Sequence, residues 1–185
     1  MKLLPLVLVL LMSLAVKSQQ VMPDSTFQFV MEYQDLYSTH RNHFRGGSFT
    51  VVRQVSDLFQ LGIGAEYAAS RYHLDNDWNL YHLRLLPVWF DVQLKPRRSR
   101  RLDPVVHTSE GISYITYGKK VIANPGSIEH RREVGLYTYL GAGFTWKISR
   151  RLLLVAEAGF KGYHMSFDAY QVNPHGSCWR AGLVW

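Results

Sequence analysis

Polar and apolar side chains alternate along almost the whole chain beyond its N-terminal segment. The pattern recurs in eight stretches, at about 27–39, 47–55, 58–72, 78–94, 104–117, 134–148, 151–167 and 177–185. Successive side chains of a β-strand point to opposite faces, so a period of two residues predicts strands. No stretch carries an apolar stripe of helical period and length. We therefore predict an all-β protein of eight strands.

The sixth stretch shows best how the two faces differ. One face carries Leu136, Leu140, Phe144 and Trp146, and the other carries tyrosines, glycines and Lys147. Periodicity alone does not say which face is interior, and a soluble lipocalin-like barrel is the alternative interpretation. Glycines on the polar face indicate that this face lines a narrow interior. Large aromatic residues near the strand ends of the apolar face are typical of a membrane-facing surface.

The connections between the stretches are of two kinds. Those after the second, fourth and sixth are "SD", "KPRRSRR" and "SR", whereas the others are mostly longer, as in "GKKVIANPGSIEHRRE". Short turns at one end and long loops at the other are typical of a membrane barrel with an even number of strands. Only a closed barrel leaves no strand edge facing lipid. The predicted fold is an eight-stranded antiparallel up-and-down transmembrane β-barrel.

The N-terminus has the composition of a secretory signal peptide. Lys2 precedes the uncharged stretch 3–16, and small polar residues follow. The stretch is too short to cross a bilayer as a helix, although an uncleaved anchor is the alternative. We predict a signal peptide at 1–18 and a barrel at 19–185. The net charge of +7 is compatible with nucleic acid or an anionic lipid surface as the partner. Because an exported chain rarely meets nucleic acid, we expect anionic lipid and no nucleic acid.

Six charged residues fall on the face assigned to the interior: Glu32, Glu66, Arg84, Glu157, Lys161 and Arg180. The interior of an eight-stranded barrel is only wide enough to be filled by side chains. Burying these charges unpaired would cost several kcal/mol each. We predict that they form an ion-pair and hydrogen-bond network close to Tyr137 and Tyr139, and that the barrel has no continuous pore.

Two strands leave their register open. In the fourth, the apolar residues change phase at Pro87, and we predict a β-bulge there that keeps one apolar face and leaves Arg84 inside. In the fifth, Ile112 and Tyr114 outward would also place Glu110 outward, unless Glu110 and Gly111 form a bulge.

The last stretch carries apolar residues at alternate positions, namely Trp179, Ala181, Leu183 and Trp185. With the strand "LLPVWFDVQL" and the glycine-rich "LGAGFTWKI", the chain resembles the small outer-membrane β-barrel proteins of Gram-negative bacteria, the OmpA/OmpX-like or porin-family barrels. The resemblance implies an outer-membrane location. It also implies that these four residues form an insertion signal for the barrel-assembly machinery. An ordinary final strand is the alternative.

A resemblance of this kind does not specify a function. Small barrels serve as envelope stabilisers, adhesins, accessory subunits or lipid-modifying enzymes. The enzyme alternative rests on "HTSE" at 107–110 and "HGS" at 175–177, which are similar to the H-x-S motif of the lipid A deacylases. That motif continues with asparagine, whereas Glu110 and Cys178 stand here, so the match is partial.

We therefore expect a structural or interaction role, with no catalytic residue, cofactor or metal. The expected partners are outer-membrane lipid, lipopolysaccharide and another envelope protein. The basic stretches "GKK" and "HRR" flank the third long loop and are candidates for contact with lipopolysaccharide phosphates.

Overall fold

The chain forms a closed β-barrel in the computed structural model, which describes residues 27–39, 41–74, 78–95, 101–121, 128–149, 151–164 and 173–185. The strands are β1 Phe27–Ser38, β2 His43–Gln54, β3 Phe59–Leu74, β4 Trp78–Leu94, β5 Leu102–Val121, β6 Glu129–Lys147, β7 Leu153–His164 and β8 His175–Val184. Each strand pairs antiparallel with its chain neighbours, and β8 pairs with β1. The predicted all-β, eight-stranded, up-and-down barrel is confirmed. The predicted signal peptide lies outside the described residues.

The closing seam joins the last strand to the first along most of its length. Val30 is level with Val184, and the backbone groups of Phe29 and Trp185 exchange hydrogen bonds of 2.8 and 3.0 Å. The rings of these two residues lie 6.3 Å apart on the outer surface. Every strand edge is therefore paired. The four residues of the predicted insertion signal face outward, and their recognition stays a prediction.

The two ends of the barrel differ, and we name them by their connections. The turn end carries the β2–β3, β4–β5 and β6–β7 connections, and the loop end carries the other four. Towards the turn end the outer surface is an apolar band. Its large exposed side chains include Phe29, Met31, Phe49, Leu61, Ile63, Val88, Phe90, Ile112, Leu136, Leu140, Phe144, Trp146 and Phe160. No helix of the described residues is long and apolar enough to cross a membrane.

Towards the loop end the polarity of the wall reverses. The interior there is a cluster of almost fully buried apolar side chains, which includes Leu36, Phe44, Leu80, Leu83, Leu85 and Ile115. The exterior instead exposes Arg45, Arg71, Arg84 and Arg132. A polar exterior over an apolar interior is the arrangement of a barrel in water, and the reverse is that of a barrel in lipid. The exterior of the barrel therefore suits lipid towards the turn end and water towards the loop end.

This reversal corrects two predictions for the fourth strand. Arg84 lies on the outer surface and not in the interior, and Pro87 lies in regular register opposite Ser113 without a bulge. Side chains alternate without interruption along β4 from Leu83 onward. The apolar residues change face because they point inward at the loop end and outward in the band. The irregularity of β4 lies instead between Tyr81 and Arg84.

Alternation also continues without a break through the fifth strand. Glu110 therefore faces outward within the apolar band, level with Phe90 on β4 and Thr138 on β6. The Thr138 hydroxyl donates a 2.6 Å hydrogen bond to its carboxyl group. The strand is thus regular at Glu110 and Gly111, where a bulge was the alternative.

Three strands extend clearly further towards the loop end than the sequence pattern indicated. β2 begins at His43, β5 continues to Val121 and β6 begins at Glu129. Much of the sequence predicted as long loops is therefore strand. The basic residues there resemble loop residues because they belong to the water-facing exterior of the wall.

Candidate functional site in the barrel interior

A buried lysine occupies the middle of the barrel. Lys161 on β7 is 0% exposed, and its Nζ donates a hydrogen bond of 2.9 Å to Glu66 Oε2 on β3. It also donates to the side-chain oxygen of Gln34 on β1. The Tyr163 hydroxyl donates to the second oxygen of Glu66 at 2.7 Å. Four side chains from three strands thus hold one another across the lumen.

A buried arginine lies beside this group. The Arg180 guanidinium on β8 lies 3.6 Å from the centre of the Tyr139 ring, and its Nη2 donates to the Tyr137 hydroxyl at 2.7 Å. Its Nη1 is 3.7 Å from Glu32 Oε2 on β1. Stacking on an aromatic face and pairing with a carboxylate both suit the planar, delocalised charge of arginine.

A third group centres on His107 of β5. Its Nδ1 lies 2.9 Å from Glu157 Oε2, and its Nε2 contacts Asp91 Oδ1. The Ser109 hydroxyl donates to Asp91 Oδ1 at 2.9 Å, and Gln93 Nε2 donates to Asp91 Oδ2 at 2.8 Å. Both ring nitrogens face carboxylate oxygens, and only a doubly protonated imidazole donates to both.

The interior therefore brings together five of the six residues predicted for a lumen network. Glu32, Glu66, Glu157, Lys161 and Arg180 are all buried there, and Arg84 is not. Sequence reasoning missed Asp91, His107 and Ser109 as members. Unbroken period-two counting along β4 and β5 would have found them, because all three share the inward face.

Aromatic rings fill the cross-section around the charges. Trp89 stacks on Tyr137 with ring centres 5.1 Å apart. A Cβ atom at Gly64 would lie 2.6 Å from the Trp89 ring, so glycine leaves the space that this indole occupies. Near the turn end, beside Glu32, His107 and Glu157, a cavity of about 10 Å³ remains. That volume suits a single water molecule.

The order Ser109–His107–Glu157 has the connectivity of a catalytic triad, with 3.0 and 2.9 Å between successive groups. The serine of this arrangement faces the interior of the barrel. The Ser109 side chain is 1% exposed, and its proton is engaged by Asp91. Glu110, which follows Ser109 where the deacylase motif has asparagine, faces the opposite side of the wall. The Ser109 hydroxyl is therefore enclosed by the side chains of the barrel interior.

The second H-x-S pair lies on the outer face of β8 near the loop end. His175 Nδ1 donates to the backbone oxygen of Asn173 at 2.6 Å, and its ring packs near Phe160. Ser177 lies two residues further along the same face of β8 and is exposed. This histidine is therefore oriented by the loop backbone.

A closed eight-stranded wall with an apolar outer band and a charged, filled interior has the fold of the small outer-membrane β-barrels. No protein-family model matches the sequence, and no curated protein matches it. Solved structures do match. A major outer membrane protein from Thermus thermophilus superposes with a TM-score of 0.56 at 14% identity, over 86% of this chain and 99% of that one.

Two further barrels match at similar levels. Neisserial surface protein A gives a TM-score of 0.53 at 10% identity, over 88% of this chain and 98% of its own. Ail, the attachment invasion locus protein of Yersinia pestis, gives 0.52 at 10% identity, over 87% and 97%. Identities this low show a shared fold.

Proposed function

We propose that this chain is a sealed barrel of the outer membrane with a structural or interaction role, as an envelope stabiliser or an accessory subunit of a membrane complex. The observation that carries the proposal is the pairing of buried charges across the lumen beneath an apolar outer band. A narrow barrel filled by an ion-pair network suits a rigid anchor better than a channel. The predicted signal peptide supports export.

The architecture of the wall supports one orientation in the membrane. Because short turns in outer-membrane barrels face the periplasm, we orient the loop end towards the outside of the cell. The water-adapted part of the wall then projects beyond the bilayer and offers a surface to other molecules. Ail, which shares the fold, has been crystallised in complex with the heparin analogue sucrose octasulfate. In this chain we assign interactions to the exposed loop end because of its water-adapted surface.

A non-enzymatic role is supported by the burial of Ser109 and by the orientation of His175 towards backbone. Lipid-modifying chemistry requires a nucleophile that a lipid can reach. The buried serine lies behind the barrel wall, on the face opposite to lipid.

Cell fractionation tests the proposal. We expect the protein in the outer-membrane fraction, and we expect the unheated form to migrate differently from the heated form in a detergent gel. Crosslinking in intact cells before purification would then identify its neighbours. Recovery as a soluble periplasmic protein would favour the lipocalin-like alternative and contradict the proposal.

A further inference from the structure

A cleft rich in positive charge lies on the outer surface where the apolar band ends. It lies between β2, β3 and β4 and has a volume of about 850 Å³. Six of its eleven lining residues are basic, namely Arg41, His43, Arg45, Arg71, His82 and Arg84. We call it the basic cleft.

In the part of the chain that the structure describes, two of the six basic side chains of the basic cleft pair with a carboxylate. Asp35 accepts a 3.0 Å hydrogen bond from Arg45 Nε and lies 2.9 Å from His43 Nδ1. Within the described ranges, no carboxylate lies at ion-pair distance from Arg41, Arg71 or Arg84. Like charges so close together repel, and a bound anion would relieve that repulsion.

The backbone of the cleft is strained as well. Arg41 and His82, with φ of 62° and 52°, are the two non-glycine residues of the described chain with positive φ, and both line this cleft. His82 also lies in the register shift of β4 between Tyr81 and Arg84. Unfavourable backbone angles concentrate at ligand-binding positions, where they direct side chains.

The position of the basic cleft relative to the apolar band indicates the chemistry of its ligand. On β4 the outward side chain after Arg84 is Leu86, followed by Val88 and Phe90 of the apolar band. The exposed ring of Tyr67 lines the cleft at the same border. Guanidinium groups at the edge of an apolar band stand where lipid phosphates lie, and they bind phosphate through paired hydrogen bonds.

A second cleft of about 610 Å³ continues this surface around the barrel. It shares His82 and Arg84 with the first and adds His130, Arg131 and Arg132. The shared residues make Arg84 the centre of the basic surface.

We propose that the basic cleft binds the phosphate groups of an outer-leaflet glycolipid of the lipid A type, whose acyl chains lie along the band below Arg84. This inference rests on the outer-membrane location proposed above. Binding is measured on purified, folded protein in detergent, and location is measured by cell fractionation. The two results are independent, so a failure of the binding proposal is distinguishable from a failure of the proposed location.

The experiment compares affinities by native mass spectrometry for bisphosphorylated lipid A, dephosphorylated lipid A and soluble inorganic polyphosphate. The test variant is Arg71→Gln/Arg84→Gln. The matched control is Arg53→Gln/Arg151→Gln, which removes the same charge at the turn end. Migration of unheated samples in a detergent gel verifies that each variant is folded, and Arg84→Gln alone replaces the double variant if that one fails to fold.

We expect the wild type to bind bisphosphorylated lipid A about tenfold or more tightly than the dephosphorylated form, because charge-assisted hydrogen bonds supply the difference. The test variant should lose that preference, and the control should keep it. Equal binding of the two lipids would overturn the proposal, as would equal losses in both variants. Tighter binding of polyphosphate than of lipid A would assign the cleft to a soluble polyanion and overturn the lipid source.

Discussion

Replacing Lys161 with methionine tests the interior network most sharply. The side chain is fully buried, and its ammonium group donates to Glu66 and Gln34. Methionine is unbranched like lysine, is one atom shorter and carries no charge, so the substitution leaves Glu66 buried with Tyr163 as its donor. Removing one partner of a buried ion pair costs about 3–5 kcal/mol of unfolding free energy.

The measurement is equilibrium unfolding by urea in phospholipid vesicles, followed by tryptophan fluorescence. Glu66→Gln alone should lose a similar free energy, since it leaves the ammonium unpaired. The double variant Lys161→Met/Glu66→Gln should lose only about 1–3 kcal/mol, the cost of uncharged polar groups left without a partner, because neither charge then remains buried. Lys147→Met, on the exposed end of β6, is the control and should show no measurable change. Additive losses in the double variant would refute the pairing.

Three further predictions concern chemistry, strain and assembly. Ser109→Ala and Ser177→Ala should leave the acyl-chain number of cellular lipid A unchanged by mass spectrometry, and a change in either variant would identify a nucleophile. His82→Gly should raise the unfolding free energy by up to about 1 kcal/mol, because glycine adopts positive φ without strain, and a loss of stability would contradict this. Trp185→Ala should reduce the assembled fraction on detergent gels far more than Trp78→Ala, and equal effects would remove the argument for an insertion signal.

The fold could be predicted because the period of two survives in every strand. Glycines on the polar face indicated a crowded interior, and Gly64 against Trp89 shows that crowding. The alternation also continues through the last stretch, and because a sheet in lipid leaves no strand edge unpaired, the pairing of β8 with β1 could be predicted. These features depend on local alternation, which needs no knowledge of neighbouring strands.

The reversal of polarity along the wall could not be predicted in the same way. The sequence-based prediction assumed that each strand has one apolar face. Because Leu83 and Leu85 are out of phase with Val88 and Phe90, that assumption required a bulge at Pro87. The same assumption placed Arg84 inside. In this barrel the apolar side chains point outward in the apolar band and inward at the loop end, although the backbone alternates regularly along the whole strand.

The charged partners inside the barrel depend on register between distant strands. Lys161 meets Glu66 across the lumen, and His107 meets Glu157 from β7. The alternation along one strand shows which of its residues point inward. It does not show which inward residues are level, because the stagger of the closed sheet decides that.

Planar-bilayer recording tests the sealed interior most directly. Wild-type protein inserted in a bilayer should show no large, steady single-channel conductance, because paired charges and stacked rings fill the lumen. Glu66→Ala, which removes the carboxylate held by Lys161 and Tyr163, should produce channel openings. A large, steady conductance from the wild type would contradict a sealed interior.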